Sequence, residues 1–441
     1  MATTSVVSRE SIESWAPDSP KLLQFRNALT ALQKISDEAL MDERGYQWVA
    51  GVHGGFGGTP MCQHNNSNFA TWHRPYLLDF ELKLRARIAE FADQATADEW
   101  RLPYWDWADP AAQAIPAAFT DETYEDDGET RPNPLLSQPY KLPVAVDVDP
   151  PRDTTWRDPR SAEQLQAIGA LVAPAVSEPD FRDFNGALEN PHNRIHVWVG
   201  GFMTTWRSAF DPLFWCHHAN VDRQFWMWQQ GAGHVSSIPR AVRDFPCEPF
   251  KFKDIRAEAF FDTRALGYTY ATQRRVVTLS EAAGAAEPAS PLEPLTLDFG
   301  VVPADFGRAR INLHGVRHPE QTRELCFFAN RESPPDGSTP KTTVEGFLGS
   351  YTLLGHGPCP GAPGHCDPDQ QSGANLRPPH HLAPFDRFID VTEPLGAMTG
   401  GEALRLTAQL IVVDHAGAQL PTDSLAFDNA SLTFRKRAAR P

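Results

Sequence analysis

The sequence predicts a mainly α first part with long loops, followed by an all-β, sandwich-like second part. Three observations predict this. Apolar residues recur at helical spacing in three long segments before about residue 230. A stretch that is Ala/Pro-rich and poor in large apolar residues, 279–294, then interrupts the pattern, and beyond it the period becomes two. A chain of 441 residues is also long for one hydrophobic core. The expected division is a first domain over 1–275, a linker over 276–294 and a β-rich domain over 295–441.

The first helix is expected in "SPKLLQFRNALTALQKI", with Ser19 as cap and Pro20 at the first position. A second is expected in "RPYLLDFELKLRARIAEFA", headed by His73, and a third in "DPLFWCHHANVDRQFWMWQQ", opened by Asp211 and Pro212. The proline-rich, acidic region of about 109–160 reads as long ordered loops. In the second part, "ALRLTAQLIVV" alternates Leu404, Leu406, Ala408, Leu410 and Val412 against Arg405, Thr407 and Gln409. "ARINLHGVR", "RELCFFAN" and "EGFLGSYTLL" are short and strand-like, with turn-rich gaps between them.

Composition excludes some functions. Hydrophobic content of 41% and charged content of 22% are those of a globular chain. A net charge of −16 argues against nucleic acid, which needs a basic face. No stretch approaches 18 apolar residues, so no membrane span is expected. The first residues lack a basic region followed by an apolar run. The expected compartment is the cytoplasm, with export by a partner protein left open. Six cysteines in so long a chain do not make a disulfide scaffold. The chain is compatible with a homo-oligomer.

Seven of the fifteen histidines fall in two clusters. His53 lies in "GVHGGFGG" and His64 in "CQHNNSNFATWHRPY", both read as loops, with His73 following. His192 and His196 in "NPHNRIHVWVGG" are four apart, hence on one helix face, and "DPLFWCHHANVDR" adds His217 and His218. The grouping His53, His64, His73 and His192, His196, His218 suits copper, zinc, iron or nickel. The rival reading is a set of core histidines, and zinc stays open at this point.

Five blocks also match a known family. "GVHGG", "CQHNNSNFATWHRPYLLDFE", "LPYWDWA", "PHNRIHVWVGG" and "DPLFWCHHANVDRQFW" occur in order over about residues 45–230. They resemble the type 3 copper proteins of the tyrosinase/polyphenol oxidase family. "LGYTY", with Tyr268 and Tyr270, resembles the paired tyrosines that close the catalytic domain in plant-type members, and 295–441 resembles the β-rich C-terminal domain that many members of the family carry. The resemblance implies a four-helix bundle holding two copper ions. Copper A would take His53, His64 and His73; copper B would take His192, His196 and His218. His218 is chosen over His217 because it stands four before Asp222, as in the family's HxxxD pattern. His217 would then line the substrate pocket or pack behind the metal ligands. Cys62 would form a thioether to His64, its rival role being a free buried cysteine. Glu189 and Asn193 would order a water that takes the phenolic proton, Glu189 having a helix-cap carboxylate as its rival role. Phe214 would stack against the substrate ring, core packing being its rival.

The activity so implied is oxidation of small o-diphenols to o-quinones by O2, with ortho-hydroxylation of monophenols left open. The alternatives are o-aminophenol oxidation at the same site, a hemocyanin-like reversible oxygen carrier, and a dizinc hydrolase. The resemblance further implies that the C-terminal domain shields the site and keeps the enzyme latent until cleavage in the linker, the alternative being a permanent domain that shapes substrate entry or oligomer contacts. "LGHGPCPGAPGHCDPD", with His356, Cys359, His365 and Cys366, and the following His380 and His381, read as a copper-loading loop, the rival readings being a disulfide between Cys359 and Cys366 or a plain glycine-proline loop.

Overall fold

The computed structural model describes residues 6–54, 62–141, 153–247, 252, 254–270, 294–329, 345–355 and 383–436. The linker expected at 276–294, apart from its last residue, and the cysteine–histidine loop at 356–366 with His380 and His381 lie outside them. The chain divides into two compact units, Met1–Thr278 and Leu279–Pro441.

The first unit holds helices α1 (Pro20–Glu38), α2 (Tyr46–Gly54), α3 (Phe69–Phe91), α4 (Gln94–Glu99), α5 (Ala162–Gly169), α6 (Val172–Val176), α7 (Phe181–Val199), α8 (Pro212–Gln229) and α9 (Arg240–Arg243). Ser19 caps α1 by accepting from the Leu22 amide, with Pro20 at the first position. Asp211 caps α8 in the same way, accepting from the Leu213 amide, with Pro212 behind it. Leu22, Phe25, Leu29 and Leu32 bury one face of α1. No described helix is long and apolar enough to cross a membrane.

Three local expectations need correction. His53 is not on a loop: it ends α2, where Tyr46, Val49, Ala50 and His53 fall at helical spacing and are all buried. His73 does not head its helix: α3 begins at Phe69, and the Trp72 amide already donates to the Asn68 carbonyl. Pro75 is accommodated inside the helix. The 109–160 region also contains a hairpin, β2 (Thr123–Asp126) with β3 (Glu129–Pro132). Its turn residues Asp127 and Gly128 have φ of 49° and 77°, the left-handed pair that a two-residue hairpin turn demands.

A small parallel pairing closes the unit. β1 (Val7–Arg9) aligns with β4 (Tyr268–Tyr270), so that Arg9 lies opposite Tyr270.

The second unit holds β5 (Leu295–Val302), β6 (Arg308–Val316), β7 (Arg323–Ala329), β8 (Phe347–Leu353), β9 (Phe385–Asp390), α10 (Thr392–Thr399), β10 (Leu404–Asp414), β11 (Gln419–Leu420) and β12 (Asn429–Arg435). One sheet runs β11-β10-β7-β8 with β5 on the other edge of β10 for part of its length; the other runs β12-β6-β9. All these pairings are antiparallel. Ile311, Leu313 and Ile389 of one sheet share a core with Leu325, Phe327 and Leu410 of the other, which makes a sandwich. The alternation foreseen in β10 holds at its start, but Ile411 and Val413 are buried as well, on the opposite face, with Cys326 and Phe328.

Candidate dinuclear metal centre

Four helices of the first unit bring the histidines together. α2 supplies His53, α3 His73, α7 His192 and His196, and α8 His217 and His218, while His64 stands on the turn before α3. All seven rings are at most 3% exposed. One nitrogen from each of His53, His64, His73 and His218 lies within 4.8 Å of the others, and the same holds for His192, His196, His217 and His218. The two groups therefore adjoin at His218, whose ring stacks on that of His73 at 4.4 Å.

Backbone carbonyls set which nitrogen faces inward. Nδ1 of His53 lies 2.9 Å from the Trp206 oxygen, Nδ1 of His73 2.7 Å from the Phe69 oxygen, and Nδ1 of His196 2.7 Å from the Met203 oxygen. Each Nδ1 must donate, which leaves an Nε2 lone pair on each ring. His192 does the same through a side chain, its Nδ1 lying 2.8 Å from Asn193 Oδ1. Nε2 of His192 then sits 3.1 Å from Nε2 of both His196 and His218. Two lone pairs aimed at each other repel unless a cation lies between them. Nitrogens about 2.0–2.1 Å from one tetrahedral ion stand roughly 3.3 Å apart, so the spacing fits a metal. In the other group, Nε2 of His73 has no hydrogen-bond partner among the described residues. The residues fit a pair of metal ions on this donor chemistry.

Burial fixes the charge state. It pushes His73 and His196 down to about 3, and His192, His217 and His218 well below the ordinary histidine value, with neighbouring imidazoles adding to the effect for each of them. Neutral imidazole is the form that binds a metal.

Close approach on the His53 side needs glycine. A Cβ on Gly54 would stand 2.2 Å from the Trp206 carbonyl oxygen, the same atom that orients His53.

The remaining expected residues all lie at this site or beside it. Phe214 packs on both groups, with its ring 4.8 Å from His53 and 4.1 Å from His218. His217 stacks on His192 at 5.0 Å. Cys62 is buried, in no disulfide, and burial pushes its thiol well up. Glu189 is fully buried and accepts the Asn65 amide through Oε1, so it ties α7 to the turn that carries His64. Asn193 orients His192.

Sequence reasoning missed two features. Phe69 mirrors Phe214, with its ring 5.1 Å from His73 and 4.6 Å from His192; its place one helical turn before His73 was the available signal. Asp222 is the hub of a buried network. It accepts from Arg74 Nε at 2.5 Å, Arg9 Nη1 at 3.3 Å, Tyr268 at 2.8 Å and Tyr270 at 2.7 Å. Burial alone would raise the Asp222 carboxyl, but Arg74 and Arg9 hold it below its usual value. Arg74 follows His73 and Asp222 lies one turn beyond His218, so the network joins both groups from behind.

Comparison with known proteins agrees. Residues 43–231 match the common central domain of tyrosinase. The chain is 36% identical to the tyrosinase of Streptomyces glaucescens over 194 residues, 39% of this chain and 67% of that one. It is 30% identical over 248 residues to the G-type hemocyanin, units Oda to Odg, of Enteroctopus dofleini; that is 50% of this chain but spans only 8% of the hemocyanin's length. An oxygen-bound pro-tyrosinase variant from Aspergillus oryzae superposes with a TM-score of 0.66 at 18% identity, covering 99% of this chain and 96% of that one. This last likeness speaks for the fold.

Proposed function

The chain belongs to the tyrosinase family of type 3 copper proteins, and from that membership we propose that it oxidises small o-diphenols to o-quinones with dioxygen at a dinuclear copper site. The observation that carries the reading is the pair of buried, neutral imidazole groups adjoining at His218. In the balanced reaction two diphenols and one O2 give two quinones and two waters. Copper A is assigned to His53, His64 and His73, and copper B to His192, His196 and His218. When bound, the copper pair supplies the two-electron route that dioxygen lacks with organic molecules.

The protein contributes orientation, exclusion of water and proton handling. Carbonyl oxygens of Trp206, Phe69 and Met203 hold three rings in register from Nδ1. Phe214 presents an apolar ring against which a substrate ring can stack. A phenol with a pKa near 10 gives up its proton reluctantly at neutral pH. Glu189 and Asn193 are assigned to a water that accepts it, which would extend the reaction to ortho-hydroxylation of monophenols. A thioether between Cys62 and His64 is proposed to fix the His64 ring. It forms with loss of two hydrogens to dioxygen, the oxidant of the proposed activity, so the joined peptides weigh two hydrogens less. The β-rich unit is proposed to keep the enzyme latent until the chain is cut within 279–294, a reading that rests on the family resemblance.

The test is copper analysis with oxygen uptake on catechol, tyramine and 2-aminophenol, before and after limited proteolysis. Copper content with catechol uptake is expected. Uptake with 2-aminophenol alone would move the substrate class, and zinc in place of copper would overturn the reading. Uptake with catechol and none with tyramine after proteolysis would remove the role given to Glu189 and Asn193. A second reading, a reversible oxygen carrier, is favoured by the 30% identity to octopus hemocyanin. Blue colour on oxygenation, with no quinone from catechol, would select it.

A further inference from the structure

A second polar feature lies beside the site. His217, Asn220 and Gln224 are three and seven residues apart on α8, hence on one face, and all three are fully buried. The segment Trp105–Trp107 runs along this helix: the Trp105 amide donates to the Cys216 carbonyl at 2.9 Å, and the Trp107 ring lies 5.7 Å from the His217 ring. At the far end Arg223 pairs with Asp106 at 3.1 Å and donates to Asn220 Oδ1 at 3.3 Å.

Several buried polar atoms of these two segments are not satisfied by the protein. Among the described residues, Nε1 of Trp105 and Trp107, both ring nitrogens of His217, and both amide atoms of Gln224 have no hydrogen-bond partner. Other buried indoles behave differently: Trp198 donates to the Ser161 carbonyl at 2.8 Å and Trp228 to the Glu178 carbonyl at 2.7 Å. Buried polar groups are nearly always paired, and where protein cannot pair them ordered water does, given two to four polar partners. An exposure gradient runs along the two segments. His217 is sealed at 0%, whereas the Arg223 and Asp106 side chains are 7% and 13% exposed.

We propose that ordered water occupies the seam between α8 and Trp105–Trp107, and that it forms a hydrogen-bonded route between solvent at Asp106–Arg223 and the buried ring of His217 beside the metal-binding histidines. His217 takes part as a neutral ring, one nitrogen donating and the other accepting. The route does not depend on which substrate the site turns over.

Indole hydrogen exchange tests it. With ¹⁵N-tryptophan labelling of the full-length, Cu(I)-loaded protein, the Trp105 and Trp107 indole N–H groups should exchange with D2O at least about tenfold faster than those of Trp198 and Trp228, since opening to bulk solvent is no longer required. Equal protection in all four would overturn the proposal. Gln224→Leu removes two polar partners and should slow exchange at Trp107 while copper content stays unchanged; an unaltered Trp107 rate would overturn the role of Gln224 in the route. Should that variant fail to fold, a crystal structure of the wild-type protein decides. Waters bonded to Trp107 Nε1, to both His217 nitrogens and to the Gln224 amide are expected, and a dry seam would sink the idea. Loss of the oxidase reading would leave these outcomes untouched.

Discussion

The two histidine groups are built by different means. His192 and His196 share one helix face, four residues apart, and His218 comes from the neighbouring helix α8. The other three arrive separately: His53 at the end of α2, His64 on the turn before α3, and His73 inside α3. The first arrangement is largely fixed once α7 forms. The second depends on tertiary packing that holds three segments in place, and it borrows a backbone carbonyl of a distant loop, at Trp206, to aim His53. His218 belongs by distance to both. A dinuclear site can thus combine a locally encoded half with a half that exists only in the folded unit.

The strongest way to break this comparison is at His218. His218→Ala should lower copper binding in both halves and abolish catechol oxidation. His64→Ala should remove only copper A, leaving about one ion per chain. Metal analysis of the two variants separates these outcomes; equal losses would remove the special place of His218. Next in size is the network behind the site. Asp222→Asn leaves Arg9 and Arg74 buried with much of their counter-charge gone, and breaking a buried pair in this way costs about 3–5 kcal/mol. Thermal unfolding should show it, with copper A affected most because Arg74 adjoins His73. A drop below about 1 kcal/mol would mean that the network relaxes freely.

Stability against pH sharpens the point further. His73, in one group, and His196, in the other, are both pushed down to about 3 by burial. Their unfolded value is about 6.5, so in between the unfolded chain binds protons that the folded chain refuses. Metal-free protein should therefore lose stability as pH falls from about 6.5 toward 4.5, by up to about 1.4 kcal/mol per pH unit for each such histidine. Denaturant titrations across this range measure the slope, and a flat profile would place these rings in contact with solvent.

The sequence already carried the helical and β-rich halves, because each rests on a periodicity that survives folding. The caps at Ser19 and Asp211 were readable for the same local reason. His192 and His196 could be paired from spacing alone. His53 could not be placed on its helix, since the glycines that follow it look like loop and Gly54 is there for the close approach of Trp206. The first turn of α3, from Phe69, lies before the residues whose spacing reads as helical. Arg9 lies 213 residues from Asp222, and no local pattern announces a contact that only the β1–β4 pairing creates. Phe69 and the partners of Glu189 and Asn193 are equally products of tertiary structure.

The finest test of the comparison is at Asn193. Of the four rings whose Nδ1 partner is defined, three are held by backbone carbonyls that no side-chain change can remove. His192 alone among these is held by a side chain, Asn193 Oδ1 at 2.8 Å. Asn193→Ala deletes that acceptor and frees the ring to rotate or to change tautomer. Losing such a partner weakens metal binding by about 10–100-fold, so copper B should be stripped by a competing chelator at correspondingly lower concentration while copper A is retained. Asn193→Asp keeps an acceptor in reach of Nδ1 and should preserve copper B. If the alanine variant held both ions as firmly as the wild type, orientation of His192 would have to come from its stacking on His217 and its packing against Phe69 rather than from the hydrogen bond.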